Sequence, residues 1–159
     1  MILVTLGTQD KGFKRLLEEV DKEIAKGHIN EEVIVQKGCT EYESDNMKLF
    51  DLIDKDKFDE LIDKCDILIT HGGVGSILTG ITRGKKVIAV PRLSKYNEHI
   101  NDHQLQIVEN FSKSKYIIGV KDINKLGKAI EKAKKFNPKK FKSNTNNLIK
   151  MLEDYIDNI

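Results

Sequence analysis

Residues 66–83 read DILITHGGVGSILTGITR, which is a short apolar run, a glycine-rich turn and a further apolar segment in direct succession. The apolar run predicts a buried strand over Asp66–Thr70, because short apolar runs bounded by turn signals are typical of parallel sheets. The segment after the turn predicts a helix that reaches about Arg83 and ends at Gly84. A strand that leads through glycines into a helix is a building unit of the doubly wound α/β fold.

Strands and helices alternate in the same way along the rest of the chain. Apolar runs predict further strands at residues 1–6, 33–35, 47–53, 87–90 and 116–118, of which 47–53 is the most ambiguous. Apolar residues at helical spacing predict helices near residues 13–24, 58–65, 102–111, 123–133 and 148–159. Short strands that are apolar on both faces indicate a mostly parallel sheet with helices on both sides. We therefore expect one doubly wound α/β domain over residues 1–159.

Composition narrows the class of protein. Apolar residues make up 39% and charged residues 33% of 159 residues, which is typical of one ordered globular domain. No apolar run approaches the roughly 18 residues that span a bilayer, and residues 1–6 lack the features of a signal peptide. We therefore predict a cytoplasmic protein. The net charge of +2 gives no reason to expect a nucleic-acid partner, and Cys39 and Cys65 are expected to be reduced thiols.

Lysines are concentrated late in the chain. Nine lysines and only two acids, Asp122 and Glu131, lie between Lys121 and Lys142. The ordinary interpretation is a solvated helix face. The alternative is attraction to an anionic membrane surface.

Ligands of open α/β sheets bind outside the carboxyl ends of the strands. Four segments follow predicted strands directly: Gly7–Gln9, Gln36–Gly38, His71–Ser76 and Pro91–Gln104. These are the segments in which we look for a functional site.

The loop His71–Ser76 has the properties of an anion site. Its glycines let the backbone approach a ligand, and the following helix offers free N–H groups and the positive end of its dipole. Ser76 and His71 add side-chain donors. No P-loop lysine follows, so we expect a phosphate or diphosphate held by backbone, with a purely structural tight turn as the alternative. The turn Gly7–Gln9 lies at the same edge and can share the same phosphate.

The segment Pro91–Gln104 is unusually polar. Asp102 and Gln104 can bind sugar hydroxyls, although capping of a helix by Asn101 or Asp102 is an ordinary alternative. His99 and His103 lie one helical turn apart beside Glu98, but no further ligand is evident, and we expect no metal. Ser76 does not lie in a Gly-x-Ser-x-Gly elbow, which excludes a serine hydrolase of that type.

Four motifs occur in order along the chain: Val4–Gln9, His71–Ile77, Val90–Arg92 and Glu98–Gln104. Together they resemble the glycosyltransferase family 28 C-terminal domain over roughly residues 1–120. The resemblance is strongest to the small PssE/EpsF-type subunit of bacterial exopolysaccharide synthesis. The chain is also similar to the catalytic subunit of the eukaryotic two-subunit enzyme that adds the second GlcNAc to dolichol-diphosphate-GlcNAc, and more distantly to the second half of MurG.

The resemblance implies a Rossmann-like half-domain of the GT-B type that binds a UDP-sugar. It implies a first loop that faces the diphosphate and the acceptor, formed by Gly7, Thr8 and Gln9. It implies a diphosphate loop formed by His71, Gly72, Gly73, Gly75 and Ser76. It implies that the donor sugar is held by Asp102 and Gln104, and the matched motifs add Arg92, Glu98 and His103 to the expected substrate-binding residues. Thr79 stands where relatives usually carry a glutamate that binds the ribose hydroxyls.

The resemblance also implies a hexosyltransferase that is active as a heteromer in exopolysaccharide or capsule biosynthesis. Backbone amides and the helix dipole would stabilise the departing UDP, so neither a metal nor a cofactor is expected. A membrane-anchored PssD-like subunit would supply the catalytic base and recruit the chain to the inner face of the plasma membrane. The acceptor would be a polyprenyl-diphosphate-linked sugar. The C-terminal helix, about residues 144–159, would pack on its own domain or dock that partner. The alternative function is a non-catalytic enhancer subunit that stabilises a partner glycosyltransferase.

Overall fold

The computed structural model describes residues 1–140. Its strands are β1 (Ile2–Thr5), β2 (Val33–Gln36), β3 (Lys48–Phe50), β4 (Ile67–His71), β5 (Lys86–Val90) and β6 (Ile118–Gly119). Its helices are α1 (Lys14–Ala25), α2 (Lys55–Lys64), α3 (Val74–Thr82), α4 (His103–Lys113) and α5 (Leu126–Lys135), with short 3-10 turns at Ser94–Tyr96 and Ile123–Lys125. The helix expected at 144–159 lies outside the described residues.

The six strands form one sheet in the order β3-β2-β1-β4-β5-β6, and every neighbouring pair is parallel. This confirms the predicted doubly wound α/β fold. The chain moves outward from β1 to β3 and then returns through α2 to the other side of β1. The strand order therefore reverses between β1 and β4, and the helices that follow these two strands, α1 and α3, pack on opposite faces of the sheet.

Side chains that alternate along each strand divide the core into two layers. Ile2 and Val4 face the layer that contains α1 and α5, whereas Leu3 faces the layer that contains α2, α3 and α4. The predicted stripe of α1 is confirmed, because Leu16, Leu17 and Val20 are fully buried. Burial of both sheet faces explains why the strands read as continuous apolar runs.

The strand boundaries differ from the sequence prediction by one to three residues, most of all in β3, which spans Lys48–Phe50 and not 47–53. β4 extends by one residue to His71, which pairs with Val90 of β5, so the histidine belongs to the sheet and not to the turn. β6 begins at Ile118 and not at Tyr116, because only Ile118 and Gly119 pair with β5. Strand ends depend on pairing with a neighbour, which a single sequence does not contain.

The described part of the C-terminal region is amphipathic. Leu126, Ile130 and Ala133 of α5 are buried, and the lysines of this helix are exposed. Within residues 1–140, no helix combines the length and the apolar character needed to cross a membrane.

Candidate functional site

The loops that follow β1 and β4 meet where the strand order reverses. β4 pairs with the whole of β1, from Ile2 opposite Ile67 to Thr5 opposite Thr70. Gly7 follows β1 by two residues, and His71 is the last residue of β4. The sheet thus brings two predicted loops together at the position where doubly wound folds bind ligands.

The imidazole of His71 is packed between two glycines. A Cβ atom on Gly7 would lie 2.6 Å from Nε2 of His71, and one on Gly73 would lie 2.3 Å from Cε1. Gly7 also has a φ of +80°, which disfavours any other residue there. Only glycine therefore fits at either position while the ring keeps its place. His71 is buried, with 6% of its surface exposed.

Burial sets the charge of His71. The pKa of this imidazole falls to about 4, mainly because burial removes the solvation of the charged form and also because Arg92 and His99 repel a further positive charge. A hydrogen bond with Gln104 opposes this shift only in part. The ring is therefore neutral near pH 7, where it offers one N–H donor and one acceptor.

The first turn of α3 presents free backbone donors beside this ring. Gly73 is the N-cap and has no side chain to cap the helix, and the first intrahelical bond runs from Ile77 N–H to the Gly73 carbonyl at 3.1 Å. The N–H groups of Val74, Gly75 and Ser76 therefore have no acceptor within the helix. Ser76 Oγ lies 3.5 Å from Nε2 of His71. Three unpaired N–H groups, a hydroxyl and a helix dipole form a concentrated positive potential.

A cleft of about 580 Å³ opens beside the first loop. Its lining includes Thr8, Gln9, Gly38, Cys39 and Leu52, from the carboxyl ends of β1, β2 and β3. The Cys39 thiol donates to the Gln9 carbonyl at 2.9 Å and ties the two loops together. A cleft of this volume is within the usual range for small-ligand sites.

Thr79 occupies the second turn of α3. Its hydroxyl donates to the Gly75 carbonyl at 2.8 Å, the bond that a threonine commonly makes to the preceding turn of a helix. The hydroxyl oxygen keeps acceptor capacity, but its proton is already used.

The guanidinium of Arg92 is hydrogen-bonded to the protein backbone through its two terminal nitrogens, whereas its buried Nε has no partner among the described residues. Arg92 is 1% exposed, and its guanidinium donates to the carbonyls of Leu6, Lys11 at 2.7 Å, and Glu98 at 3.1 Å. The ring of Phe13 lies 5.1 Å from the guanidinium carbon. Burial lowers the pKa of Arg92. This residue thus joins the loop after β1 to the loop after β5 and is not open to a ligand.

Glu98 is also bound within the protein. It is 4% exposed and accepts from Arg15 Nε at 3.0 Å and Arg15 Nη2 at 2.9 Å, and from Leu93 N–H at 3.1 Å. Sequence reasoning does not find Arg15, because this α1 residue is 83 positions from its partner and no local pattern marks it.

Asp102 and Gln104, the two residues expected to hold the sugar, lie in different environments. Asp102 is exposed, and its Oδ1 accepts from Ser94 N–H at 2.9 Å and Ser94 Oγ at 3.0 Å. These two bonds lower the pKa of Asp102. Asn101 and not Asp102 accepts from the first N–H of α4, that of His103, at 3.0 Å.

Gln104, in contrast, is 4% exposed and is hydrogen-bonded at both ends of its amide. Its Oε1 accepts from the N–H groups of Gly72 and Arg92, both at 3.0 Å, and its Nε2 lies 3.3 Å from Nδ1 of His71. It joins the loops after β4 and β5. Among residues 1–140, no group of three or more His, Cys, Asp or Glu side chains is arranged to hold a metal ion.

An all-parallel sheet in this strand order, with a glycine-rich helix start at the point of reversal, is the Rossmann-like arrangement of a GT-B half-domain. The profile of the glycosyltransferase family 28 C-terminal domain matches residues 1–159. The chain belongs to this family.

Solved structures share the fold at low sequence identity. The solution structure of ALG13 superposes with a TM-score of 0.61 at 20% identity, and the alignment covers 95% of this chain and 93% of ALG13. The calicheamicin glycosyltransferase CalG4 gives 0.60 at 14% identity, with 98% of this chain and 38% of CalG4 covered. The glycotransferase of kitacinnamycin gives 0.59 at 15% identity, with 97% and 37% covered.

These likenesses show that the fold is shared. The chain spans well under half the length of the calicheamicin and kitacinnamycin enzymes, 38% and 37%, but nearly the whole of ALG13. No curated protein sequence matches the chain.

Proposed function

We propose that this chain is the donor-binding subunit of a glycosyltransferase and binds a UDP-hexose at the reversal point between β1 and β4. A single observation carries the proposal. The uncapped start of α3, the neutral His71 and the loop at Gly7 converge on one place, and all of their free groups are hydrogen-bond donors or backbone suited to a diphosphate.

The same donors suit the chemistry of sugar transfer. As the bond between the sugar and UDP breaks, negative charge develops on the leaving diphosphate. The N–H groups of Val74, Gly75 and Ser76 are fixed in the first turn of α3, so they stabilise that charge without reorganisation. No metal or cofactor is needed for this role, and none is proposed.

We extend the proposal to a heteromer. In this proposal a second, membrane-anchored subunit of the PssD type supplies the acceptor-binding lobe and the catalytic base, as the family resemblance implies, and the acceptor is a polyprenyl-diphosphate-linked sugar. The extension is supported by the extent of the alignments, which cover 93% of ALG13 and only 38% of CalG4. In this scheme the chain works at the inner face of the plasma membrane.

A second function is favoured by Thr79. Its hydroxyl proton is bonded to the Gly75 carbonyl, so this position cannot grip two ribose hydroxyls as a glutamate does. A chain that had lost donor binding would act only as an enhancer that stabilises a partner transferase.

Calorimetric titration separates the two functions. The purified chain, with EDTA and without added metal, is titrated with UDP, UDP-glucose, UDP-galactose and UDP-GlcNAc. A donor subunit binds UDP with a Kd on the order of micromolar to millimolar, as enzyme substrates do. Absence of binding to all four, both alone and with the partner, would leave the enhancer function.

Variants then test the placement of the site. Gly73→Leu forces a side chain into the His71 ring and removes UDP binding, whereas Asp102→Ala keeps UDP affinity and weakens only the UDP-sugars. We expect the latter loss to be about fivefold, since one hydrogen bond to a neutral hydroxyl contributes about 1 kcal/mol. Equal weakening of UDP and UDP-sugars by Asp102→Ala would contradict the sugar-holding role.

A further inference from the structure

We infer that Gln104 is a positioning residue that holds His71 as the neutral tautomer with its proton on Nε2, so that this N–H points into the donor site. The inference rests on the proposed function and deepens it. It also gives Gln104 a different role from the one that the family resemblance implies, which is direct binding of the sugar.

The orientation of the Gln104 amide is fixed by its backbone partners. The N–H groups of Gly72 and Arg92 both donate to Oε1, each at 3.0 Å. A flipped amide would place its NH₂ group against these two donors. Oxygen therefore occupies this position, and the opposite end of the amide is the NH₂ group.

The orientation of the amide in turn fixes the tautomer of His71. The NH₂ group of Gln104 lies 3.3 Å from Nδ1 and can only donate, so Nδ1 accepts and carries no proton. In a neutral imidazole the proton then resides on Nε2. That nitrogen lies beside Gly7 and 3.5 Å from Ser76 Oγ, on the side where α3 presents its free N–H groups.

The surroundings keep the ring in this neutral state. Arg92 and His99 are the charged and titratable groups that act on the imidazole, and both oppose its protonation, as does burial. Ser76 from α3 and Gln104 from α4 contact it as neutral groups. The opposite tautomer would set a lone pair against a bound anion and two donors against each other, so Gln104 selects the form that can bind a diphosphate.

The tautomer can be read directly in the intact chain. A long-range ¹H–¹⁵N correlation spectrum of protein labelled with ¹⁵N-histidine distinguishes protonated from unprotonated ring nitrogens, and His71→Asn identifies the signals of His71. We expect an unprotonated Nδ1 and a protonated Nε2 between pH 6 and pH 8. An Nδ1–H tautomer in the wild-type chain would overturn the inference, whatever the fate of the proposed function.

Gln104→Glu tests the role in binding. The carboxylate still accepts from Gly72 and Arg92, but its other oxygen now accepts from Nδ1, so at pH 8 the neutral ring carries its proton on Nδ1. We expect UDP to bind about tenfold to hundredfold more weakly than to wild type at pH 8, the cost of one hydrogen bond to a charged group. The ratio of the two affinities approaches one as the pH falls to 5.5, where an imidazolium donates from both nitrogens.

A purely structural role predicts a different result. Gln104→Met removes the hydrogen bonds but keeps the volume, and it lowers UDP affinity by the same factor at every pH. A pH-independent ratio for Gln104→Glu as well, or an unchanged tautomer in that variant, would overturn the positioning role. Failure of wild type to bind UDP at any pH would instead refute the proposed function, and the two failures are therefore distinguishable.

Discussion

Two loops at the carboxyl edge of the sheet use their polar groups in opposite ways. The loop at 71–76 is poor in charged residues, and its backbone N–H groups at the start of α3 are left without a cap. The loop at 91–102 is rich in charged residues, yet Arg92 and Glu98 are 1% and 4% exposed and bonded to other parts of the protein. The first loop offers donors to a ligand, and the second braces the loop after β1 and helix α1.

The comparison shows that charge in a sequence is a poor guide to where a ligand binds. A buried guanidinium or carboxylate must be satisfied within the fold, so it becomes a brace. N–H groups that are free to bind a ligand remain where glycine leaves the backbone accessible. The predictions below test this division between a binding loop and a bracing loop.

The largest effect on stability is expected when Arg92, the bracing residue, is replaced. Arg92→Met removes the donor from several carbonyl groups at once, and we expect the free energy of unfolding to fall by about 3–5 kcal/mol, because each buried acceptor left unpaired costs about 1–3 kcal/mol. Urea denaturation measures the change. Lys95→Met, in the same loop but exposed, is the matched control and should stay within about 0.5 kcal/mol of wild type. A loss below 1 kcal/mol in Arg92→Met would show that the loop needs no brace.

The second largest effect is the change of stability with pH that protonation of His71 causes. Its folded pKa of about 4 lies below the ordinary value of 6.5, so the unfolded chain takes up the proton first. Its contribution is complete above pH 6.5 and is lost as the pH falls towards 4, by roughly 3 kcal/mol at 1.36 kcal/mol per pKa unit. Unfolding free energies between pH 4 and pH 8 should therefore show a shallower slope in His71→Asn.

His99, in the bracing loop, is the control for the effect of His71 on the pH dependence of stability. Its pKa is also lowered by burial, but the side chain is only partly buried. We expect His99→Asn to keep most of the acid-induced loss of stability. The same slope in both variants would mean that His71 does not dominate the titration.

The smallest effect concerns neighbouring glycines of the binding loop. A Cβ on Gly73 would lie 2.3 Å from His71, whereas one on Gly75 meets no atom within 4 Å. We expect Gly73→Ala to reduce stability by about 1–3 kcal/mol, as other overpacked positions do. Gly75→Ala should leave stability unchanged or slightly higher, because alanine favours the helix. Thermal unfolding of the two variants gives the result, and equal melting temperatures would contradict the packing of His71.

Most of the fold could be read from the sequence. The strands at 1–6 and 66–70 and the stripe of α1 follow from local apolar patterns, and the structure has them within one or two residues. The sequence did not predict where the strand order reverses. It did predict, from the fold class, that the loops after β1 and β4 lie at one edge of the sheet, and the structure confirms this. The β6 boundary was wrong because two ladder residues, Ile118 and Gly119, define that strand.

The site was predicted less completely. Glycines 7 and 73 were identified for their backbone freedom, but their contact with one histidine depends on the pairing of β1 and β4. Asp102 and Gln104 had equal standing in the sequence, and in the structure one is exposed while the other is buried and bonded to His71. Arg15 gave no signal, since its partner Glu98 is distant in sequence.

The sequence by itself determined the alternation of strands and helices and the glycine-rich helix start, because the periodicity of apolar residues and the conformational freedom of glycine are local properties. Only the tertiary structure decided which polar side chains stay available. Buried donors and acceptors must be satisfied, and their partners come from loops that are brought together by strand order. Arg92, Glu98 and Gln104 are used in this way, and the free N–H groups of α3 remain for a ligand.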